Sequence, residues 1–206
     1  MTVVIKTERS HNIPMKLKKL LIVPILMATS YLGAPGTQSA ARAQELLPQG
    51  KFEQVAANNK PGGWDIRFGP ENVSLAGDAK NRWVQLRDGA VLSQVVKFPE
   101  RAKTVVVSAR LKLSNYEKGP EVWHRARVSL TFQNAKGEKV GAYPPIPDLT
   151  ANSDWVTKEV TLNVPVGATQ LLLEPGLWGS KGLFEIYDLV VKVTEIAPII
   201  IPVDAP

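Results

Sequence analysis

The sequence predicts an all-β protein, a sandwich of two antiparallel sheets, and three observations carry that prediction. From Leu46 onward the chain is a series of short apolar-alternating runs, punctuated by Gly, Pro, Asn and Asp at regular spacing. No segment in this part has a helical period. In two longer runs the alternation is strict. Val105, Val107, Ala109, Leu111 and Leu113 share one side of residues 104–113, and Val122, His124, Ala126, Val128, Leu130 and Phe132 share one side of residues 122–133. Each run therefore offers one face to a core and one to solvent.

Taken in order, strands are expected over residues 52–55, 64–68, 73–75, 82–87, 91–98, 104–113, 122–133, 139–143, 156–164, 169–174 and 183–193. Their connections carry turn chemistry: Asn, Pro and Gly in 58–63 and 115–120, and Asn134-Ala135-Lys136-Gly137 as a hairpin connection. Residues 143–147, Tyr-Pro-Pro-Ile-Pro, are expected to form an extended crossover, because proline lacks the amide proton a ladder requires. Residues 44–195 form the expected domain. Residues 196–206, with three prolines and no evident strand partner, read as a tail. There is no internal repeat.

The N-terminus reads as an address. Lys16, Lys18 and Lys19 precede a mostly apolar run from Leu20 to Leu32, and Ala41-Arg42-Ala43 supplies an Ala-x-Ala cleavage signal. Residues 1–43 are therefore expected to be a secretory signal peptide, with Met15 heading the more conventional leader, and the protein is expected to be secreted or periplasmic. The apolar run falls short of the roughly 20 residues a membrane-spanning helix needs.

The leader also explains the charge. It holds six of the 25 Lys and Arg and one of the 19 Asp and Glu, leaving 19 basic against 18 acidic residues from position 44 onward. The overall excess of basic residues is thus no argument for nucleic-acid binding. The chain has no Cys, which excludes disulfides, thiolate nucleophiles and thiolate metal sites, and only one His, His124, lies beyond the leader. A site with two or more His ligands cannot be built from that part. Phosphate-binding glycine loops, Gly-x-Ser-x-Gly and His-Glu-x-x-His are absent.

The C-terminal half carries a resemblance. Asn152-Ser153-Asp154-Trp155 leads into an apolar strand, then Pro165-Val166-Gly167-Ala168, Leu171-Leu172-Leu173 and Gly182-Leu183-Phe184-Glu185-Ile186-Tyr187-Asp188. In the N-terminal half, Gly50-Lys51-Phe52-Glu53 and Pro61-Gly62-Gly63-Trp64 fall in matching order. Together these motifs, spanning residues 47–193, resemble the cellulase-associated carbohydrate-binding modules of families four, nine and twenty-two. The resemblance implies a galactose-binding-like jelly-roll sandwich and a poly- or oligosaccharide ligand. It also implies a structural calcium where first and last strands meet, with Glu53 and Asp188 as its carboxylates, since Ca²⁺ favours hard oxygen ligands. Gln49 and Tyr187 depart from the family pattern, which usually has Asn and a further Asp at these places.

Stacking on a sugar ring needs flat aromatic faces, and reading hydroxyls needs fixed polar groups. With Val84 and Leu86 inward, Trp83, Gln85 and Arg87 are expected to face the same way as Trp123, Arg125 and Arg127, joined by Glu185 and Tyr187 if Phe184 and Ile186 point inward. Trp64 and Trp155 read as core plugs at turn-to-strand junctions, Trp178 sits on a loop, and His124 falls on the core side. Arg87, Arg110, Arg125 and Arg127 also suit an acidic glycan, or else pair with Glu117, Glu121 and Glu185. Two other readings stay open. One is an enzyme cleaving glycosidic bonds through a pair among Glu121, Glu174 and Glu185; the other is a structural or adhesion module contacting protein.

Overall fold

The structure, a computed structural model, describes residues 44–198. Residues 1–43, expected to be a signal peptide, and residues 199–206 lie outside the described residues.

Where the sequence alternates, the chain forms long ladders. The strands are β1 (Gln44–Glu45), β2 (Val55–Ala56), β3 (Lys60–Pro61), β4 (Asp65–Phe68), β5 (Val73–Gly77), β6 (Arg82–Arg87), β7 (Val91–Lys97), β8 (Ala102–Glu117), β9 (Ala126–Gln133), β10 (Asp148–Leu149), β11 (Ser153–Asn163), β12 (Gln170–Gly176) and β13 (Lys181–Ile196). Among the described residues they build two main antiparallel sheets. One runs β11-β8-β13-β6-β5 with β1 added to β13; the other runs β10-β9-β12-β7-β4. The strands β2 and β3 make a separate ribbon.

The inward residues of both sheets form one apolar core. Val105, Val107, Ala109, Leu111 and Leu113 of β8 meet Val84, Leu86, Phe184, Ile186 and Val191 of the same sheet and Val128, Leu130, Leu171 and Leu173 of the other. All are buried, and each such aliphatic or aromatic side chain contributes roughly 1.5–3 kcal/mol of transfer free energy on burial. Trp64 plugs this core as expected. Its ring lies 5.7 Å from Phe52 and its indole N–H donates to the Gln49 carbonyl at 3.0 Å, so the one polar atom of a buried tryptophan is satisfied.

Several expectations are corrected. Residues 122–125 are not strand: β9 begins at Ala126, and Val122 is 85% exposed because it sits in a turn closed by the His124 N–H on the Glu121 carbonyl at 3.1 Å. The middle strand of that sheet is β12, with β9 beside it. Residues 139–143 make only a single bridge, Gln133 to Lys139, since the prolines that follow cannot extend a ladder. Phe52 is buried but adopts φ 53°, in a turn closed by its N–H to the Gln49 carbonyl, so residues 52–54 are not strand. At the other end β13 continues to Ile196, paired with Ala102, and Arg101 grips Ala197 through both its backbone carbonyl and its guanidinium. The chain leaves the sheet later than its composition suggested.

Candidate functional site

The expected single platform is divided between the two sheets. Trp83, Gln85 and Arg87 lie on β6 and Glu185 and Tyr187 on β13, all in the sheet centred on β13. Arg127 lies on β9 in the other sheet, with Trp123 and Arg125 on the segment entering it. Each strand turns its apolar side to the shared core, so the polar sides of β6 and β9 look outward in opposite directions. Alternation gives the side of a strand but not the sheet it joins, and that is why the expectation failed.

On the outer face of the β9 sheet a cleft of about 650 Å³ is lined by Arg67, Trp123, Arg125, Arg127, Tyr143 and Trp178, together with Asp148 and Glu174. The proline-rich crossover forms one wall. It is tied down by the Val128 N–H donating to the Pro147 carbonyl at 2.9 Å and by β10 pairing with β9. The loop after β12 brings Trp178, at φ 47°, with its indole N–H on the Glu174 carbonyl at 3.2 Å.

Ion pairs order the floor. Glu174, 5% exposed, pairs with Arg67, and Arg125 Nη1 lies 3.1 Å from Asp148 Oδ2. Arg127 donates from Nη1 to the Trp123 carbonyl at 2.9 Å, and its guanidinium carbon lies 4.7 Å from the Trp178 ring centroid. Burial pulls the Arg127 guanidinium below its ordinary pKa, the charge of Arg125 adds to this, and Asp148 opposes it. Trp123 is half exposed, with its ring edge-on to His124 at 4.0 Å. His124 in turn is wedged between Gly119 and Gly179. A Cβ at either glycine would fall within 2.7 Å of its ring nitrogens, so only glycine admits the imidazole there. The ring accepts a hydrogen bond at Nδ1 from the Glu121 N–H at 3.3 Å. His124 is thus half-buried in a crevice between loops, where it props Trp123, rather than in the core.

The opposite face carries a second cluster. Glu185, buried beneath it, accepts from Trp83 Nε1 and Gln85 Nε2, both at 2.8 Å, and Lys112 lies 3.9 Å away. Trp155 stands edge-on to Trp83 at 6.1 Å and to Tyr187 at 6.3 Å, with the Arg110 guanidinium 5.2 Å from the Tyr187 ring. These residues and Asn81 line a hollow of about 180 Å³. Trp155 is therefore a surface residue and not a core plug. The bulge between Ser153 and Val156 is the feature that turns it outward, and single-sequence alternation has no sign of it. Arg87 lies exposed at the end of β6. A larger depression, of about 720 Å³, lies beside residues 97–103 and 164–170, but among its lining residues Phe98 is the sole aromatic.

Arg67, Tyr143 and Asp148 line the cleft although the sequence did not single them out, and Trp178 was placed only on a loop. Tyr143 and Trp178 sit in loops, where periodicity is silent. Of the carboxylates considered for catalysis, Glu174 and Glu185 lie on opposite sheets and each is already engaged by a cation or by donors.

At the expected calcium position the first and last segments do meet. The Leu189 N–H donates to the Gly50 carbonyl at 3.0 Å, and the Leu46 N–H to Val191 at 2.8 Å. Asp188 occupies the β13 bulge at φ 58° and Glu53 is exposed. Among the described residues no three His, Asp or Glu side chains gather as a metal site, and Arg82 Nη1 already donates to the Glu53 carbonyl at 2.8 Å. Any ion there would depend on two carboxylates plus backbone oxygens.

Among the described residues no helix is long and apolar enough to cross a membrane. No protein-family model matches the sequence, and no curated protein matches it significantly. Similar folds occur among solved structures. The enzymatically active domain of tailspike protein 4 from bacteriophage CBA120 aligns with a TM-score of 0.50 at 14% identity, over 71% of this chain and 21% of that one. The chain thus spans about a fifth of the tailspike's length. The module TmCBM61, solved with β-1,4-galactotriose, aligns at 0.46 and 17% identity over 72% and 97% of the two chains. A CBM22 xylan-binding domain from Paenibacillus barcinonensis aligns at 0.42 and 16% identity over 71% and 93%. A family-22 module, one of the kinds that the sequence resembles, is among its structural neighbours, and the strand order makes the chain an antiparallel two-sheet jelly-roll sandwich.

Proposed function

We propose that the protein is an exported, non-catalytic module that binds a poly- or oligosaccharide in the cleft on the β9 sheet. One observation carries the reading: half-exposed Trp123, exposed Tyr143 and partly buried Trp178 surround guanidinium groups whose orientation is fixed by ion pairs and backbone carbonyls. Rings of this kind stack on pyranose faces, and oriented N–H groups read hydroxyls from a largely preformed surface. The same side chains held loosely would lose more entropy on binding.

Trp83, Gln85, Arg87, Glu185 and Tyr187 belong to the proposal as a separate, smaller contact on the opposite face. A structural calcium held by Glu53 and Asp188 at the junction of the first and last segments is a further part of it. Ion binding there would stabilise the fold without touching the sugar.

The deciding experiment is affinity electrophoresis through gels containing soluble polysaccharides, comparing the protein with Trp123→Ala and Trp155→Ala. Loss of retardation in Trp123→Ala with an unchanged melting temperature supports the cleft. Loss only in Trp155→Ala would move the site to the other face, and no retardation of the unaltered protein by any glycan would overturn the reading. Cell fractionation with and without residues 1–43 tests export.

A further inference from the structure

The cleft is not electrically balanced. Arg67, Arg125 and Arg127 line it, and Lys139 Nζ stands 4.2 Å from the ring of Tyr143 in its wall. Facing these four cations are two carboxylates, Glu174 and Asp148. Glu174 pairs with Arg67 and Asp148 with Arg125. Arg127 lines the cleft and Lys139 stands against Tyr143, one of its lining rings, and neither has a carboxylate partner within salt-bridge reach among the described residues.

Arg127 is also poorly placed for solvent to compensate it. It is half-buried, its Nε is enclosed without a hydrogen-bond partner, and one of its five N–H groups is spent on the Trp123 carbonyl. The Trp178 ring packs against the guanidinium, whose carbon lies 4.7 Å from its centroid. A partly desolvated cation packed against an aromatic ring favours a planar or tetrahedral oxyanion over a neutral hydroxyl, because charge-assisted hydrogen bonds are roughly twice as strong as neutral ones.

From this geometry we infer that the ligand is an acidic glycan, one whose sugar rings stack on Trp123, Trp178 or Tyr143 while a carboxylate or sulfate oxygen group pairs with Arg127 and is drawn in by Lys139. The inference rests on the glycan-binding reading above and sharpens its ligand class.

The test is calorimetric titration of the full chain with polygalacturonate, the same polymer after methyl esterification, a sulfated galactan and its desulfated form. At least about tenfold tighter binding of an acidic polymer than of its neutral counterpart is expected, with the margin shrinking as salt rises. Preference for the carboxylate polymer alone assigns a uronate, preference for the sulfated one alone a sulfate ester, and either supports the inference. Arg127→Gln should bring acidic and neutral polymers within about twofold of each other. If that variant folds poorly, Lys139→Gln, an exposed change, carries the test: part of the margin, about two- to threefold, should vanish. An unchanged margin in the variants overturns the inference. Equal binding of acidic and neutral polymers by the unaltered protein overturns it too but leaves glycan binding standing, whereas no binding of any polymer removes both.

Discussion

Arg127 and Trp178 hold one another in place: the guanidinium carbon lies 4.7 Å from the ring centroid, joining a strand of the sheet to the loop that rims its cleft. Trp123 has no such partner besides His124, and half of its surface is open. The two tryptophans should therefore answer differently to truncation. Trp178→Ala is expected to cost about 1–3 kcal/mol of stability, from the lost cation–π contact and buried ring area, as well as binding. Trp123→Ala should cost less than about 0.5 kcal/mol, as surface changes do, yet abolish retention on glycan gels. Denaturant titration beside gel retention checks both, and a large stability loss in Trp123→Ala would show the ring to be structural.

Glu185 anchors the opposite face by accepting from Trp83 and Gln85. Glu185→Ala leaves two donors without their acceptor and should destabilise by about 2–4 kcal/mol, while Glu185→Gln, which keeps a carbonyl oxygen there, should recover most of it. A reducing-sugar assay on mixed polysaccharides separates this structural role from catalysis. Turnover by the unaltered protein that disappears in Glu185→Gln would overturn the binding-module reading.

Gly137 and Gly179 share φ 82° but not surroundings. A Cβ at Gly137 meets nothing within 4 Å, whereas one at Gly179 would lie 2.7 Å from His124 Nε2. Gly137→Ala should cost only the left-handed penalty of about 1–2 kcal/mol and leave binding intact. Gly179→Ala adds a clash that pushes His124 and with it Trp123, so both melting temperature and glycan affinity should fall. Equal effects of the two variants would show that His124 does not position the ring.

Asp78 accepts hydrogen bonds from the backbone N–H groups of Lys80 and Asn81 at 2.8 and 2.9 Å, which hold its carboxyl below the usual carboxylate range. A pKa depressed in the folded state contributes stability above the unfolded Asp value of about 3.9 and loses it as pH falls through the folded value. The difference in melting temperature between the protein and Asp78→Asn should therefore be present near neutrality and shrink on acidification. A difference independent of pH would argue against it.

Calcium at Glu53 and Asp188 makes a distinct forecast. An ion bound only by the folded state, present at about a hundredfold over its dissociation constant, raises stability by about 2.7 kcal/mol. Chelation should then lower the melting temperature, and Asp188→Ala should make it insensitive to chelator. A chelator without effect on the unaltered protein would dismiss the ion.

Much of the fold was readable because its signals are local. The side of Val105, Val107, Ala109, Leu111 and Leu113 that faces the core follows from period alone, as do the strand bounds Arg82–Arg87. The site was less so. Trp83 and the segment bearing Trp123 lie on the outside, but the sheet each lies over is set by non-local pairing of β6 with β13 and of β9 with β12, about which the residues themselves are silent. Trp155 and Asp188 sit at bulges, where one extra residue shifts the alternation, and Trp178 takes a left-handed backbone that no sequence rule assigns to tryptophan.

The sixteen residues of β13 have an implication for how the protein is made. This strand pairs with β8 along most of its length and with β6 and β1 on its other side, so the middle of one sheet is the last strand of the domain to be synthesised. Until it emerges, β8 and β6 have no neighbour to join them and that half of the sandwich cannot close. Folding is thus governed by pairings between distant parts of the chain, the kind that form slowly.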